Sequence, residues 1–353
     1  MRRFRASLIL ATAVLLLGTA PLPPAARDAV EAFFTRPMLA ETRALVVLRD
    51  GAPVVERYGP GYGPDNRFIS WSMAKSVTST LVGQLVAEGK LSLDAPAPVP
   101  EWHRTPGDPR AKITLRQLLH MSSGLRHTEG GDPIYDADTV RILFTDRAGD
   151  AAGATATQPL EAPPGTRYEY STATSMLLAR IVGQTIAPDA KTPAERRRAM
   201  RRYMVERLIK PAKMPSLVCE FDAAGTMLGG SLCHATARDW ARFGQMYLDN
   251  GVVAGRQVVP PAWVSFVRTP SPTDGGYGGH FWLNRPRPEG RDEALFPQAG
   301  PPDAFAAIGH LGQYVVIVPS KRLVVVRLGK TQDEELGPVR QALGRLVSVF
   351  PGE

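Results

Sequence analysis

Two apolar runs, Ala44-Leu45-Val46-Val47-Leu48 and Val54-Val55-Glu56-Arg57-Tyr58, flank an Asp50-Gly51 pair. Strand-forming residues on either side of Asp-Gly predict a β-hairpin over residues 42–58. The period then changes. From residue 72 to 88 the apolar positions Val77, Leu81, Leu85 and Val86 follow a helical stripe, with Gly89 placed to cap its C-terminus. A short helix follows over residues 114–121, opening on a threonine N-cap and closing at Ser122-Ser123-Gly124. From about residue 122 to about 214 the pattern is helical or irregular, and no strand period stands out.

Strand patterns return in the last third. Residues 277–284 contain His280-Phe281-Trp282-Leu283, and residues 305–318 contain Tyr314-Val315-Val316-Ile317-Val318. A Pro319-Ser320-Lys321-Arg322 turn leads to Leu323-Val324-Val325-Val326-Arg327-Leu328, and residues 335–350 close the chain as an amphipathic helix. Strands at both ends with helices between predict an α+β fold. One antiparallel sheet is built from both chain ends, with flanking helices and a helical lobe inserted at about 122–214. The active site is expected between the two.

The first residues alter the domain plan. Arg2, Arg3 and Arg5 precede an apolar run from Ala6 to Leu17, the layout of an export signal. Pro21 disfavours cleavage after Ala20, so an uncleaved membrane anchor is the alternative, although the run is short for a full span. Residues 1–26 are therefore read as signal or anchor and residues 27–353 as one domain, periplasmic or secreted. The net charge of +8 does not indicate nucleic acid. Residues 191–210 carry eight basic side chains against two glutamates, and with the three leading arginines they account for the whole excess. Thr192-Pro193 starts a helix there, with apolar Met200, Tyr203, Met204 and Leu208, so the charge reads as a solvated helix face.

Composition adds little about ligands. The six histidines show no metal-ligand spacing, and neither a metal nor another cofactor is expected. The two cysteines, Cys219 and Cys233, permit a disulfide in an exported chain. An in-register hairpin about residues 222–225 would instead set Cys219 opposite Leu228.

One four-residue pattern carries chemistry. Ser72-Met73-Ala74-Lys75 places a hydroxyl and an amine three residues apart on one helix face, at an N-terminus whose free N–H groups and dipole favour negative charge. Two further segments follow in order: Pro164-Gly165-Thr166-Arg167-Tyr168-Glu169-Tyr170-Ser171-Thr172, and Gly309-His310-Leu311-Gly312-Gln313 entering a strand. Among these three segments lie Leu118-Leu119-His120-Met121-Ser122-Ser123-Gly124-Leu125, before the second, and Ala235-Thr236-Ala237-Arg238-Asp239-Trp240-Ala241-Arg242-Phe243-Gly244, before the third. Together these stretches resemble the serine β-lactamase-related superfamily from about residue 44 to about 350. The resemblance is closest to the branch holding class C β-lactamases, carboxylesterases and 6-aminohexanoate-dimer hydrolases, and within it to the last two.

The resemblance implies a β-lactamase/transpeptidase-like fold and a hydrolase working through an acyl-enzyme on small esters or amides. Ser72 would be the nucleophile, Lys75 its base and Tyr170 the proton relay, with Tyr168 the competing tyrosine. The backbone N–H groups of Ser72 and Gln313 would form the oxyanion hole, and Thr172, His310 and Gly312 would contact substrate. Thr172 stands where many relatives have asparagine, and His310-Leu311-Gly312 where β-lactamases have Lys-Thr-Gly. Leu311 cannot donate a side-chain hydrogen bond, which weakens recognition of a β-lactam carboxylate. A D-amino-acid peptidase or weak β-lactamase remains the alternative within this class, and a silent envelope or binding protein the alternative outside it. Substrate contacts are expected from the irregular stretches 130–164 and 284–302, with Tyr135 and Trp240 as candidate lining residues.

Overall fold

The computed structural model describes residues 22–352. The expected signal or anchor lies, up to residue 21, outside the described residues. Helix α1 (Pro24–Thr35) opens with proline at its first turn and buries Ala26, Val30 and Phe33, so the folded chain begins ahead of residue 27. Strands β1 (Glu41–Arg49) and β2 (Ala52–Tyr58) make the expected hairpin. Its two-residue loop needs left-handed backbone twice, and Asp50 (φ 49°) and Gly51 (φ 78°) supply it. Strand β3 (Phe68–Ile69) leads into helix α2 (Met73–Ala87). Helix α3 (Leu115–Leu119) starts at a Thr114–Gln117 capping box.

The middle of the chain is helical, with α4 (Asp138–Phe144), α5 (Ala151–Ala156), α6 (Thr172–Ile186) and α7 (Pro193–Met204). The basic segment is α7, capped by Thr192; it buries Met200 and Met204 and exposes Arg198, Arg201 and Arg202. There follow β4 (Val218–Cys219), β5 (Cys233–Ala235), α8 (Ala237–Leu248), the small hairpin of β6 (Val252–Val253) and β7 (Arg256–Gln257), and α9 (Pro261–Val267). The chain ends with β8 (Trp282–Leu283), β9 (Phe305–Gly309), β10 (Gln313–Val318), β11 (Leu323–Lys330) and α10 (Leu336–Ser348).

Six strands form one antiparallel sheet in the order β2-β1-β11-β10-β9-β8. The two chain ends meet at its centre, where β1 pairs with β11 from Glu41↔Lys330 to Arg49↔Leu323. Alternate residues serve opposite faces. Leu45, Val47, Tyr314, Val316 and Val325 pack on α1 and α10 through Val30, Phe33, Val339, Leu343 and Leu346. Val46, Leu48, Val315, Ile317, Val324 and Val326 pack the other way, in the cluster that holds Val77 and Leu81 of α2 and Trp240, Phe243 and Tyr247 of α8. Both faces are covered, which is why these strands read as unbroken apolar runs. No helix among the described residues is long and apolar enough to cross a membrane.

Three expectations change. The strand expected at 305–318 is two strands, because Leu311 (φ 59°) and Gly312 (φ 78°) turn the chain back on itself. The strand expected at 277–284 shrinks to Trp282–Leu283, after His280 adopts φ 66°. Cys219 and Cys233 are disulfide-bonded and face each other across β4 and β5. The turn at 222–225 does form, with Phe221 opposite Met227 and the Leu228 N–H donating to the Glu220 carbonyl. An excursion through Gly229-Gly230-Ser231 then resets the register before the Glu220 N–H reaches the Leu232 carbonyl, and the cysteines come opposite.

Candidate active site

Helix α2 is buried on every face rather than along one stripe. Its polar face survives burial because each hydroxyl finds an acceptor. Ser76 Oγ donates to the His280 carbonyl (2.7 Å), Thr78 Oγ1 to Gly229 (2.8 Å) and Ser79 Oγ to Gly279 (2.8 Å). Two loops are thereby drawn over the start of the helix. Ser72 is the N-cap residue, preceded by Trp71 at φ 43°, an uncommon conformation for a bulky side chain. Ser70 fixes that entry: its N–H donates to the Cys233 carbonyl (2.7 Å) and its Oγ accepts from the Cys233 N–H (3.1 Å).

Lys75 is buried, and its Nζ contacts three oxygens at 2.8 Å: Ser72 Oγ, Thr172 Oγ1 and the Gly230 carbonyl. Burial pushes its pKa down to about 8, with the charge of Glu129 pulling the other way. Tyr170 lies alongside, its ring centroid 4.8 Å from Lys75 Nζ. Burial and the nearby Glu129 carboxylate push the phenol pKa far up, so Tyr170 stays protonated, while the neighbouring Ser72 hydroxyl pulls the other way. Its ring packs on Trp282 (5.3 Å) and edge-on to Tyr277 (5.9 Å). The structure thus brings Ser72, Lys75 and Tyr170 together. Tyr168 is separate: its hydroxyl is buried without a partner, beneath Arg287 and Arg291.

Thr172 is placed differently from expectation. Its hydroxyl lies between Lys75 Nζ and Glu129 Oε1 (2.5 Å), and its N–H donates to Glu129 Oε2 (2.8 Å). It belongs to the lysine's support. Glu129 was not visible in the sequence, where it sits in a loop without periodicity. Burial opposes its ionisation, but the Lys75 charge and hydrogen bonds from His127 and Thr172 prevail and hold its pKa at about 2.

The Gln313 assignment does not survive. The Asn284 N–H donates to the Ala304 carbonyl, so residues 304, 306 and 308 turn their main-chain groups toward β8, and 305, 307 and 309 toward β10. Gln313 pairs with Gly309, which directs its N–H into the hairpin. Its side chain is buried too, donating to the carbonyls of His310, Leu311 and Gly329. Ile308 lies beyond the end of β8, so its N–H is left on the open edge of β9. That edge faces the site: Ala306 pairs with Trp282, which packs on Tyr170, and Gly309 abuts the Ser70 carbonyl.

Gly312 turns toward the buried Arg327 instead of Ser72. Its carbonyl accepts from Nη1 of the buried Arg327 (2.8 Å), and a Cβ there would meet Arg327, Thr331 and Leu336. His310 is exposed, edge-on to Trp71 (5.4 Å) and 3.7 Å from Asp333, a position flanking the site. Trp240 is a core residue and Tyr135 is exposed. A cavity of about 340 Å³, lined by Arg43, Tyr62, Arg67, Trp71, Leu311 and Lys330 among others, opens beside the site at Trp71. Among the described residues no cluster of His, Cys, Asp and Glu could hold a metal ion.

Known proteins resemble this chain in sequence and in fold. The Beta-lactamase family profile matches residues 30–348. A 6-aminohexanoate-dimer hydrolase from Paenarthrobacter ureafaciens is 28% identical over 322 residues, covering 83% of this chain and 74% of that protein. Esterase EstB from Burkholderia gladioli is 32% identical over 135 residues, about a third of each chain (35% and 34%). The crystal structure of a family VIII carboxylesterase superposes with a TM-score of 0.63 at 15% identity, covering 94% of this chain and 98% of that one, a likeness of fold.

Proposed function

The chain belongs to the Beta-lactamase family of serine hydrolases, and from that premise we propose that it hydrolyses small esters or amides through an acyl-enzyme on Ser72. The observation that carries this reading is the single Lys75 amine shared between Ser72 Oγ, Thr172 Oγ1 and the Gly230 carbonyl. In the neutral amine, two N–H groups serve Thr172 and Gly230, and the lone pair faces the Ser72 hydroxyl. Ser72 Oγ attacks the substrate carbonyl carbon as its proton passes to Lys75. The N–H groups of Ser72 and Ile308 stabilise the resulting oxyanion. The carbonyl re-forms, the C–O or C–N bond breaks, and the leaving group takes the proton through the Tyr170 hydroxyl. Water then enters by the reverse route, releasing the acid and restoring Ser72.

Ester or amide chemistry is favoured over β-lactam turnover by two features. Two of the relatives similar in sequence are named a 6-aminohexanoate-dimer hydrolase and an esterase. The His310-Leu311-Gly312 hairpin presents only His310 as a polar side chain, and it faces Trp71 and Asp333. Action outside the cytoplasm is part of the proposal, supported by the basic and apolar leader and by the disulfide. The test compares p-nitrophenyl acetate, a 6-aminohexanoate dimer and nitrocefin, with Ser72→Ala as control. Turnover of either of the first two, lost in Ser72→Ala, supports the reading; nitrocefin turnover far above both overturns it.

A further inference from the structure

We propose that Glu129 is a positioning residue that sets the direction of the hydrogen bonds around Lys75, acting through Thr172, so that the amine's one uncommitted position faces Ser72. The inference rests on Lys75 as the base. It adds to that reading a residue with no direct bond to either Ser72 or Lys75.

The argument follows from donor and acceptor counting. An ionised carboxylate accepts and cannot donate. Glu129 Oε1 lies 2.5 Å from Thr172 Oγ1, so the threonine's only hydroxyl proton is committed to Glu129. Thr172 Oγ1 must then accept from Lys75 Nζ. The Gly230 carbonyl also only accepts. Two Lys75 N–H groups are thereby consumed, and the third tetrahedral position points at Ser72 Oγ. It holds a proton in the ammonium and a lone pair in the amine. An amide in place of the carboxylate could donate to Thr172, and the direction of the chain would no longer be fixed.

The carboxylate is itself held firmly. Glu129 Oε2 accepts from the Thr172 N–H (2.8 Å), Thr139 Oγ1 (2.9 Å) and His127 Nε2 (2.7 Å). The loop after α3 is thus tied to the first turn of α6. Glu129 is the negative group facing Lys75; Tyr170 stays protonated, and His280 on the adjoining loop is kept neutral, its pKa pushed down to about 3 by burial. Its Nε2 is bonded to Ser175 Oγ (2.9 Å).

Glu129 still exposes 32% of its side chain, so direct contact with substrate is the rival explanation. The two roles separate in kinetics. In Glu129→Gln, loss of the negative charge lets Lys75 lose its proton more easily. We expect the acid limb of the kcat/KM profile to move to lower pH by about 1 unit. We expect kcat at the plateau to fall about tenfold or more, with KM changed less than twofold, because the amine is misdirected. If this variant does not fold, the Thr172→Val and Thr172→Ser pair replaces it: Val should lose at least about a hundredfold in kcat and Ser should recover most of it. An unmoved acid limb overturns the proposal, as does a raised KM at unchanged kcat, or equal activity of Val and Ser at position 172. Failure of the underlying reading is distinguishable, since the wild type would then show no Ser72-dependent hydrolysis at all.

Discussion

Gly230 presents its carbonyl oxygen to Lys75 Nζ at 2.8 Å, three positions ahead of the disulfide-bonded Cys233. Every neighbour of that carbonyl is pinned: Gly229 accepts from Thr78 Oγ1, Ser231 from Ser70 Oγ, and Cys233 from the Ser70 N–H. The segment that departs from simple hairpin register is therefore the one that completes the lysine's environment. Glycine suits it, because a Cβ at Gly230 would lie 2.8 Å from the Thr172 carbonyl and at Gly229 only 2.2 Å from Thr78 Oγ1.

Removing the disulfide should loosen this segment. The Cys219→Ser/Cys233→Ser variant is expected to lose about 2–4 kcal/mol of stability, measured by urea unfolding. Its kcat should fall further than its KM rises, because the Gly230 carbonyl steers the base rather than the substrate.

Lys75 sets the pH dependence. Hydrolysis should increase as pH rises through about 8, where the buried amine gives up its proton. Stability should move in the same direction. Unfolded lysine keeps its proton up to its ordinary value of 10.5, so between about 8 and 10.5 the unfolded chain binds more protons and folding becomes more favourable as pH rises. A pH–rate profile and unfolding midpoints across pH 7–11 check both.

Tyr170→Phe keeps the ring that packs on Trp282 and Tyr277 and removes only the hydroxyl. The variant should fold with unchanged melting behaviour and lose about 10²–10⁴ in kcat. Tyr168→Phe removes a buried hydroxyl that has no partner and should leave turnover nearly intact. Steady-state kinetics of the pair separate the two tyrosines.

Gly309→Ala tests the contact between β9 and the nucleophile's entry strand. The new methyl would sit 2.2 Å from the Ser70 carbonyl, which is backbone and cannot swing aside. The expected cost is about 1–3 kcal/mol, with reduced kcat as Ser70-Trp71-Ser72 is displaced from the β9 edge. Urea midpoints and kinetics on the purified variant measure both.

Much of this arrangement was legible in the sequence. The Asp50-Gly51 hairpin, the Thr114 cap and the helix after Ser72 follow from local rules, and the spacing of Ser72 and Lys75 places both on one face of that helix. The motif around Tyr170 singles out the tyrosine whose ring lies beside Lys75. What the sequence hid depends on long-range geometry. Leu311 carries no mark of its left-handed backbone, so the sequence reads β9 and β10 as one strand, and the motif alone does not show that the Gln313 N–H turns into the hairpin. The cysteine register turned on an excursion at Gly229-Gly230-Ser231 that strict hairpin pairing does not anticipate. Glu129 is an acidic residue in an aperiodic loop, and only the fold brings it to Thr172, 43 residues on.

The central claim is that Ser72 is a nucleophile activated by Lys75. Its most direct measurement is intact-protein mass spectrometry after exposure to a fluorophosphonate, followed by peptide mapping. The account predicts one phosphonyl adduct per chain, located on Ser72, forming faster as pH rises through about 8 and absent in Ser72→Ala. A folded wild-type protein that takes no label, or takes it at another residue, would contradict it.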